Sequence, residues 1–172
     1  MATRVPPVAT GTRAALAAIE ANIAAERGGV SLLYQVLLNS APLADGWREL
    51  LTAVRNRSSL PPALREMVIL RVAVLNRAPF EFDAHVPHAK AAGIGDEQLD
   101  ALRAARPGAA FTALERAVLD LTDTMTRDVQ VPDALFEPLR EHFDPRALVE
   151  LVATVAAYNM VSRFLEALRI GH

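Results

Sequence analysis

The segment of residues 60–76 limits the fold more than any other part of the chain, because it is apolar nearly all round and carries one carboxylate, Glu66. A helix with this pattern is expected in the protein interior. An unpaired charge is very unfavourable there. We therefore expect Glu66 to be buried and to have a partner from a neighbouring element.

The next segment supplies a candidate for that partner. A second helix is predicted over residues 79–92, and its polar residues Glu81, His85 and His88 fall at i, i+4 and i+7. At this spacing three side chains share one face of a helix. We expect His85 to contact Glu66.

The composition favours helices over sheets. Of the 172 residues, 52% are hydrophobic but only 5% are aromatic, and Ala, Leu and Val supply most apolar positions. This usage is typical of close-packed helices. The length is sufficient for one domain with a sizeable core. We predict an all-α bundle of about eight or nine helices, within a single domain of residues 1–172.

Several local signals predict where the bundle begins and where helices begin and end. Met1 to Gly11 contains two prolines and no helical period, so it is predicted to be a flexible arm. Thr112 and Glu115 have the spacing of a capping box at a helix start. A short helix is predicted from Asp96 to Arg106.

Charge and residue content exclude several functions. The formal net charge is −2 with no basic block, which argues against a nucleic-acid or membrane partner. There is no run of about eighteen apolar residues and no leader pattern, so we expect a soluble, cytoplasmic protein. Cysteine is absent, which excludes disulfides, thiolate nucleophiles and thiol peroxidase chemistry.

The segment of residues 60–93 resembles the carboxymuconolactone decarboxylase family, which includes the alkylhydroperoxidase D-like (AhpD-like) proteins. The matched features are Leu60-Pro61, Arg65-Glu66, the corner at residues 76–81, Glu81 to His85 and Ala89 to Gly93, and similarity continues through residues 111–126 and 150–164. The resemblance implies a family core at about residues 42–127. It also implies a homo-oligomer, a trimer or hexamer, with sites near subunit contacts.

Redox members of this family carry a Cys-x-x-Cys pair between a glutamate and a histidine. Here the glutamate corresponds to Glu66 and the histidine to His85, while Ala78 and Glu81 stand at the cysteine positions. Without sulfur the peroxidase role is rejected. The resemblance then implies the decarboxylase-like branch, and we expect a cofactor-independent lyase acting on a small carboxylated lactone or oxo acid.

Loss of carbon dioxide from such an acid leaves an enolate or carbanion that must be protonated by a positioned acid. His85 beside two carboxylates is our candidate proton donor, with Glu81 and Glu66 as its neighbours. The structural alternative is that Glu66 and His85 only hold two helices together. Two functional rivals remain: a non-catalytic oligomeric binding protein, and an isomerase or dehydratase of the same fold.

The substrate's carboxylate requires a cation. Arg163 is the first candidate because guanidinium binds carboxylates bidentately, and Arg71 is the alternative. Asn159, one turn before Arg163, and His88 complete the predicted substrate-binding residues. No metal is predicted, because Glu81, His85 and His88 lack a known zinc spacing.

Overall fold

The computed structural model describes residues 2–105 and 107–171. Across these ranges the chain forms nine α-helices and no β-strand, so the all-α prediction is confirmed. It divides into two compact units, Met1–Arg57 with Leu165–His172, and Ser58–Phe164. The single domain of residues 1–172 and its core at 42–127 stay predictions.

The first unit is built around three helices that follow a short 3₁₀ helix at Ala14–Leu16. Helix α3 packs against both α1 and α2. Gly28 ends α1 in the left-handed region, with φ of 78°, a conformation that glycine adopts without steric cost. The bounds are α1 Ala17–Arg27, α2 Leu32–Leu37 and α3 Ala41–Asn56.

The N-terminal arm lies in this first unit and is held by hydrogen bonds. The backbone N–H of Arg4 donates to the carbonyl of Leu168, and that of Val8 donates to Gln35, both at 2.9 Å. Val8 is buried. The backbone groups of residues 4 and 8 thus have partners that a local pattern does not reveal, while the flexibility of the arm stays a prediction.

The second unit contains α4 and the helices around it. Helix α4 packs against α5, α6 and α7, and α7 packs against α8. The bounds are α4 Pro62–Leu75, α5 Pro79–Ala91, α6 Asp96–Arg103, α7 Ala113–Arg127, α8 Asp133–Arg140 and α9 Pro145–Leu168, of which the part through Phe164 belongs to this unit. The predicted end of α6 at Arg106 lies outside the described residues.

Local sequence explains several of these boundaries. The Thr112 hydroxyl accepts from the N–H of Glu115 at 3.2 Å, and the Glu115 carboxylate accepts from the N–H of Thr112 at 2.7 Å. The predicted capping box is therefore confirmed. At the start of α9, the Asp144 carboxylate accepts from the N–H of Ala147 at 2.8 Å.

Helix α9 is long and apolar enough to cross a membrane by length and composition alone. Half of the apolar window is buried within the protein. Leu151, Val155 and Tyr158 lie on its buried side. Packing of these residues in the core accounts for part of the apolar character of α9.

Candidate active site

Helices α4 and α5 bring an imidazole between two carboxylates. His85 on α5 places its Nδ1 2.7 Å from Oε2 of Glu66 on α4. Its Nε2 lies 3.3 Å from Oε1 of Glu81, one turn earlier on α5. All three side chains are buried, and His85 is 4% exposed. We call Glu66, Glu81 and His85 the carboxylate–imidazole cluster.

The cluster favours the charged form of its imidazole. Burial by itself lowers the pKa of His85, but hydrogen bonds to Glu66 and Glu81, together with their negative charges, outweigh burial and raise the pKa above its ordinary value of 6.5. In the imidazolium form both ring nitrogens carry a proton, so each carboxylate can accept one hydrogen bond. The cluster can therefore hold a mobile proton inside the protein.

The second oxygen of Glu66 and the ring of His85 have further neighbours. Arg65 places its Nε 3.6 Å from Oε1 of Glu66. The ring of Tyr158, on α9, packs edge-on against the ring of His85 with centroids 5.2 Å apart. Tyr158 was not among the predicted site residues, because its sequence position beside Asn159 carries no spacing that relates it to α5.

His88 lies at the edge of the cluster. Its ring centroid is 5.6 Å from that of His85, in a tilted arrangement, and its side chain is exposed. In the ranges 2–105 and 107–171, no group of three His, Asp or Glu side chains is placed to hold a metal ion. His88 is thus the solvent-facing neighbour of His85.

Arg71 is not available to a substrate. Its side chain is fully buried, and its Nε and Nη2 each donate at 2.5 Å to the carboxylate of Asp123 on α7. The remaining donors bind the carbonyls of Leu102, Ala104 and Ala105. Because all its N–H groups are taken up within the chain, the prediction that Arg71 binds substrate is wrong; Arg71 joins α4 to α7 and to the end of α6.

Asn159 is likewise occupied by the protein. Its amide nitrogen donates to the Thr126 hydroxyl at 2.9 Å and to the carbonyl of Val155 at 3.0 Å. Its oxygen accepts from the amide of Asn76 at 3.0 Å. The expected role in substrate binding is therefore not supported, since the polar atoms of Asn159 hold α9 to α7 and to the end of α4.

Arg163 is exposed and donates to the carbonyl of Thr126 at 3.4 Å. No described contact joins it to the carboxylate–imidazole cluster.

A cavity of about 390 Å³ lies beside the corner between α4 and α5. It has an apolar wall and two guanidinium groups, Arg77 from the corner and Arg103 from the last turn of α6. The lining residues are Ala73, Val74, Arg77, Ala78, Pro79, Phe82 and Arg103. The sequence singled out neither arginine, because only the folded corner brings them to one cavity.

Side chains on two adjacent faces of α5 contribute to the cavity and to the carboxylate–imidazole cluster. Ala78 and Phe82 line the cavity, whereas Glu81 and His85 belong to the cluster. At about 100° per residue, the side-chain direction of His85 falls between those of Glu81 and Phe82. The imidazole is thus next to the row of α5 that faces the cavity.

Fold and site together define an all-α protein with a thiol-free carboxylate–imidazole cluster at its central helix pair. Residues 41–124 match the model of the carboxymuconolactone decarboxylase family. This segment belongs to the family, and the chain lacks the cysteine pair of the family's redox members.

Known proteins are similar to this chain in sequence or in fold. The uncharacterised protein YnjA of Escherichia coli is 33% identical over 127 residues, which are 73% of this chain and 66% of YnjA. An uncharacterised peroxidase-related protein from Silicibacter has the same fold, with a TM-score of 0.82 at 19% identity over 97% of this chain and 90% of that one. The debrominase Bmp8, solved with 2,3,4-tribromopyrrole, shares the fold with a TM-score of 0.80 at 15% identity over 98% and 91%.

Proposed function

We propose that this protein is a cofactor-independent lyase that removes carbon dioxide from a small carboxylated lactone or oxo acid. The observation that carries this proposal is the buried imidazole held between two carboxylates, at 2.7 Å from Glu66 and 3.3 Å from Glu81. Membership of the carboxymuconolactone decarboxylase family supports the reaction class.

The proposed reaction has two steps. The carbon–carboxylate bond breaks, carbon dioxide leaves, and the bonding electron pair passes to the adjacent carbonyl as an enolate. His85 in its imidazolium form then gives one proton to the carbon, and the imidazole recovers a proton from water through Glu81. Glu66 keeps the ring oriented and favours its charged form.

A second function is favoured by a specific observation. His85 is only 4% exposed and is absent from the lining of the cavity beside α5. If the protein is a non-catalytic oligomeric binding protein, the cluster only joins α4 to α5. An isomerase or dehydratase of the same fold would use the cluster without releasing carbon dioxide.

The proposal also includes the oligomeric state of the protein and its cellular compartment. We expect a homo-oligomer, a trimer or hexamer, in the cytoplasm. Val149 and Met160 on α9 are 68% and 36% exposed although both are large and apolar. Such residues are suited to a contact between copies of the chain. Light scattering on the purified protein measures the subunit number.

The function is tested by measuring carbon dioxide release from a set of lactone acids and β-oxo acids. Wild type is compared with His85→Gln and Glu81→Gln, and with His142→Gln as a matched control at an exposed histidine on the same unit. We expect the His85 variant to lose about a hundredfold or more in kcat and the control to keep full activity. Unchanged turnover in both cluster variants would refute the assignment.

A further inference from the structure

The cavity beside the corner between α4 and α5 combines an apolar wall with two cations. Five of its seven lining residues are apolar, and the other two are Arg77 and Arg103. We propose that this cavity is a binding site for a small organic anion, a carboxylate attached to a mainly apolar body. The site goes beyond the proposed function, because binding there does not require turnover at His85.

Arg77 is placed at the cavity by the corner itself. Its backbone has a φ of 55°, in the left-handed region that non-glycine residues rarely occupy. The corner is closed by the N–H of Ala78, which donates to the carbonyl of Ala73 at 2.9 Å. The side chain of Arg77 is exposed. Arg77 thus stands at the corner itself, and its side chain is part of the cavity lining.

Arg103 reaches the cavity by stacking on an aromatic ring. Its guanidinium carbon lies 3.8 Å from the centroid of the Phe82 ring, which is a close cation–π contact. A stacked guanidinium keeps the N–H groups at its edge available to an acceptor in its own plane. Phe82 thus supplies both the apolar wall and the support for one cation.

In the part of the chain that the structure describes, no carboxylate lies within ion-pair distance of Arg77 or Arg103. By contrast, Arg71 and Arg48 each bind carboxylates directly. Two uncompensated cations beside a low-dielectric wall attract an anion, and carboxylates match guanidinium geometry.

The shape and chemistry of the wall limit the ligand. A volume of about 390 Å³, open on one side to solvent, is large enough for a small organic molecule. The apolar side chains favour a ligand with an apolar body, whereas the two arginines favour a single carboxylate at the end of that body. Inorganic anions and acetate lack the body, and neutral alcohols lack the charge, so both classes are expected to bind more weakly.

The test is a titration of the full chain with benzoate, monitored by NMR through the backbone amide chemical shifts. We expect saturable shifts centred on residues 73, 74 and 78, with acetate and benzyl alcohol each binding at least about tenfold more weakly than benzoate. The same benzoate titration in His85→Gln should be unchanged. If His85→Gln releases no carbon dioxide but still binds benzoate, the binding site in the cavity is distinct from the proposed catalytic function.

Variants at the two arginines complete the test. Arg77→Asn introduces a residue that tolerates the positive φ of this position. Arg103→Gln removes the charge but keeps part of the aliphatic stem over Phe82. Each should weaken benzoate binding about tenfold. Arg140→Gln is the matched control, because Arg140 also lies over an aromatic ring, at 5.7 Å from Phe136, but outside the cavity. The proposal would be overturned if both cavity variants bound benzoate as tightly as wild type does. Binding of benzyl alcohol as tight as that of benzoate would also overturn it.

Discussion

Nδ1 of His85 lies 2.7 Å from Oε2 of Glu66, and both side chains are almost fully buried. The contact joins two adjacent helices through a charge-assisted hydrogen bond in a low-dielectric setting. Since Glu81 approaches the other ring nitrogen, the imidazole is enclosed by negative charge on two sides. The properties of His85 therefore depend on two carboxylates at once.

This arrangement makes stability depend on pH. The pKa of His85 in the folded protein lies above its ordinary value of 6.5, so the stabilising effect of its proton is fully present below pH 6.5 and is lost as the pH rises through the folded pKa. We predict that the difference in free energy of unfolding between wild type and His85→Gln is largest below pH 6.5 and shrinks above it. Urea denaturation across this range measures it. His142→Gln should change stability by less than about 0.5 kcal/mol throughout. A difference that grows with pH would contradict the assignment.

The ion pair between Arg71 and Asp123 should be among the most sensitive contacts of the fold. Asp123→Asn leaves a fully buried guanidinium without its carboxylate, which is expected to cost about 3–5 kcal/mol. Asp120→Asn, at an exposed position of the same helix, should cost less than about 0.5 kcal/mol. Denaturant unfolding of both variants gives the comparison, and equal effects would show that the buried pair is not important for stability.

Glu150 on α9 gives stability that disappears in acid. Hydrogen bonds from the hydroxyl and N–H of Ser59, together with Arg146, outweigh burial and lower the pKa of Glu150 to about 2. Its contribution is present above the unfolded value of 4.5 and is lost as the pH falls through about 2. We predict that Glu150→Gln is less stable than wild type at neutral pH and that the difference closes on acidification. A difference independent of pH would exclude this role.

Val129 is held in an unfavourable backbone conformation after α7. Its φ is 68° and its side chain is 78% exposed, so the valine has a steric cost without much packing in return. We predict that Val129→Gly raises the free energy of unfolding by about 0.5–1 kcal/mol, after the larger entropy of the unfolded glycine chain is subtracted. Ala53→Gly, at an exposed position of α3, should instead lower it by about 1 kcal/mol. Thermal unfolding of the two variants distinguishes them.

The contact between Glu66 and His85 could be predicted from the sequence because two local patterns met. A nearly continuous apolar helix required a partner for its one carboxylate, and helical spacing on the next element offered the imidazole. The capping box of Thr112 and Glu115 was predictable for a simpler reason, since both groups lie within one turn. Glu66 and His85 are 19 residues apart, and their pairing followed from the need of a buried carboxylate for a partner.

The rest of the site depends on contacts between distant segments. Arg71 and Asp123 are 52 residues apart, and no local pattern shows that α7 supplies the partner of a guanidinium on α4. Arg77 and Arg103 share a cavity only because α6 ends near the corner between α4 and α5. The sequence therefore identified the carboxylate–imidazole cluster but not the two arginines that line this cavity.

The most direct measurement is the protonation of His85, followed through the ¹⁵N chemical shifts of its ring nitrogens as a function of pH. The signals are assigned by their loss in His85→Gln. We predict a pKa above 6.5 in the wild type and a lower pKa in Glu66→Gln, which keeps the shape of the side chain but removes its charge. A wild-type pKa below 6.5, or one that Glu66→Gln leaves unchanged, would contradict the claim that the two carboxylates hold a proton on this imidazole.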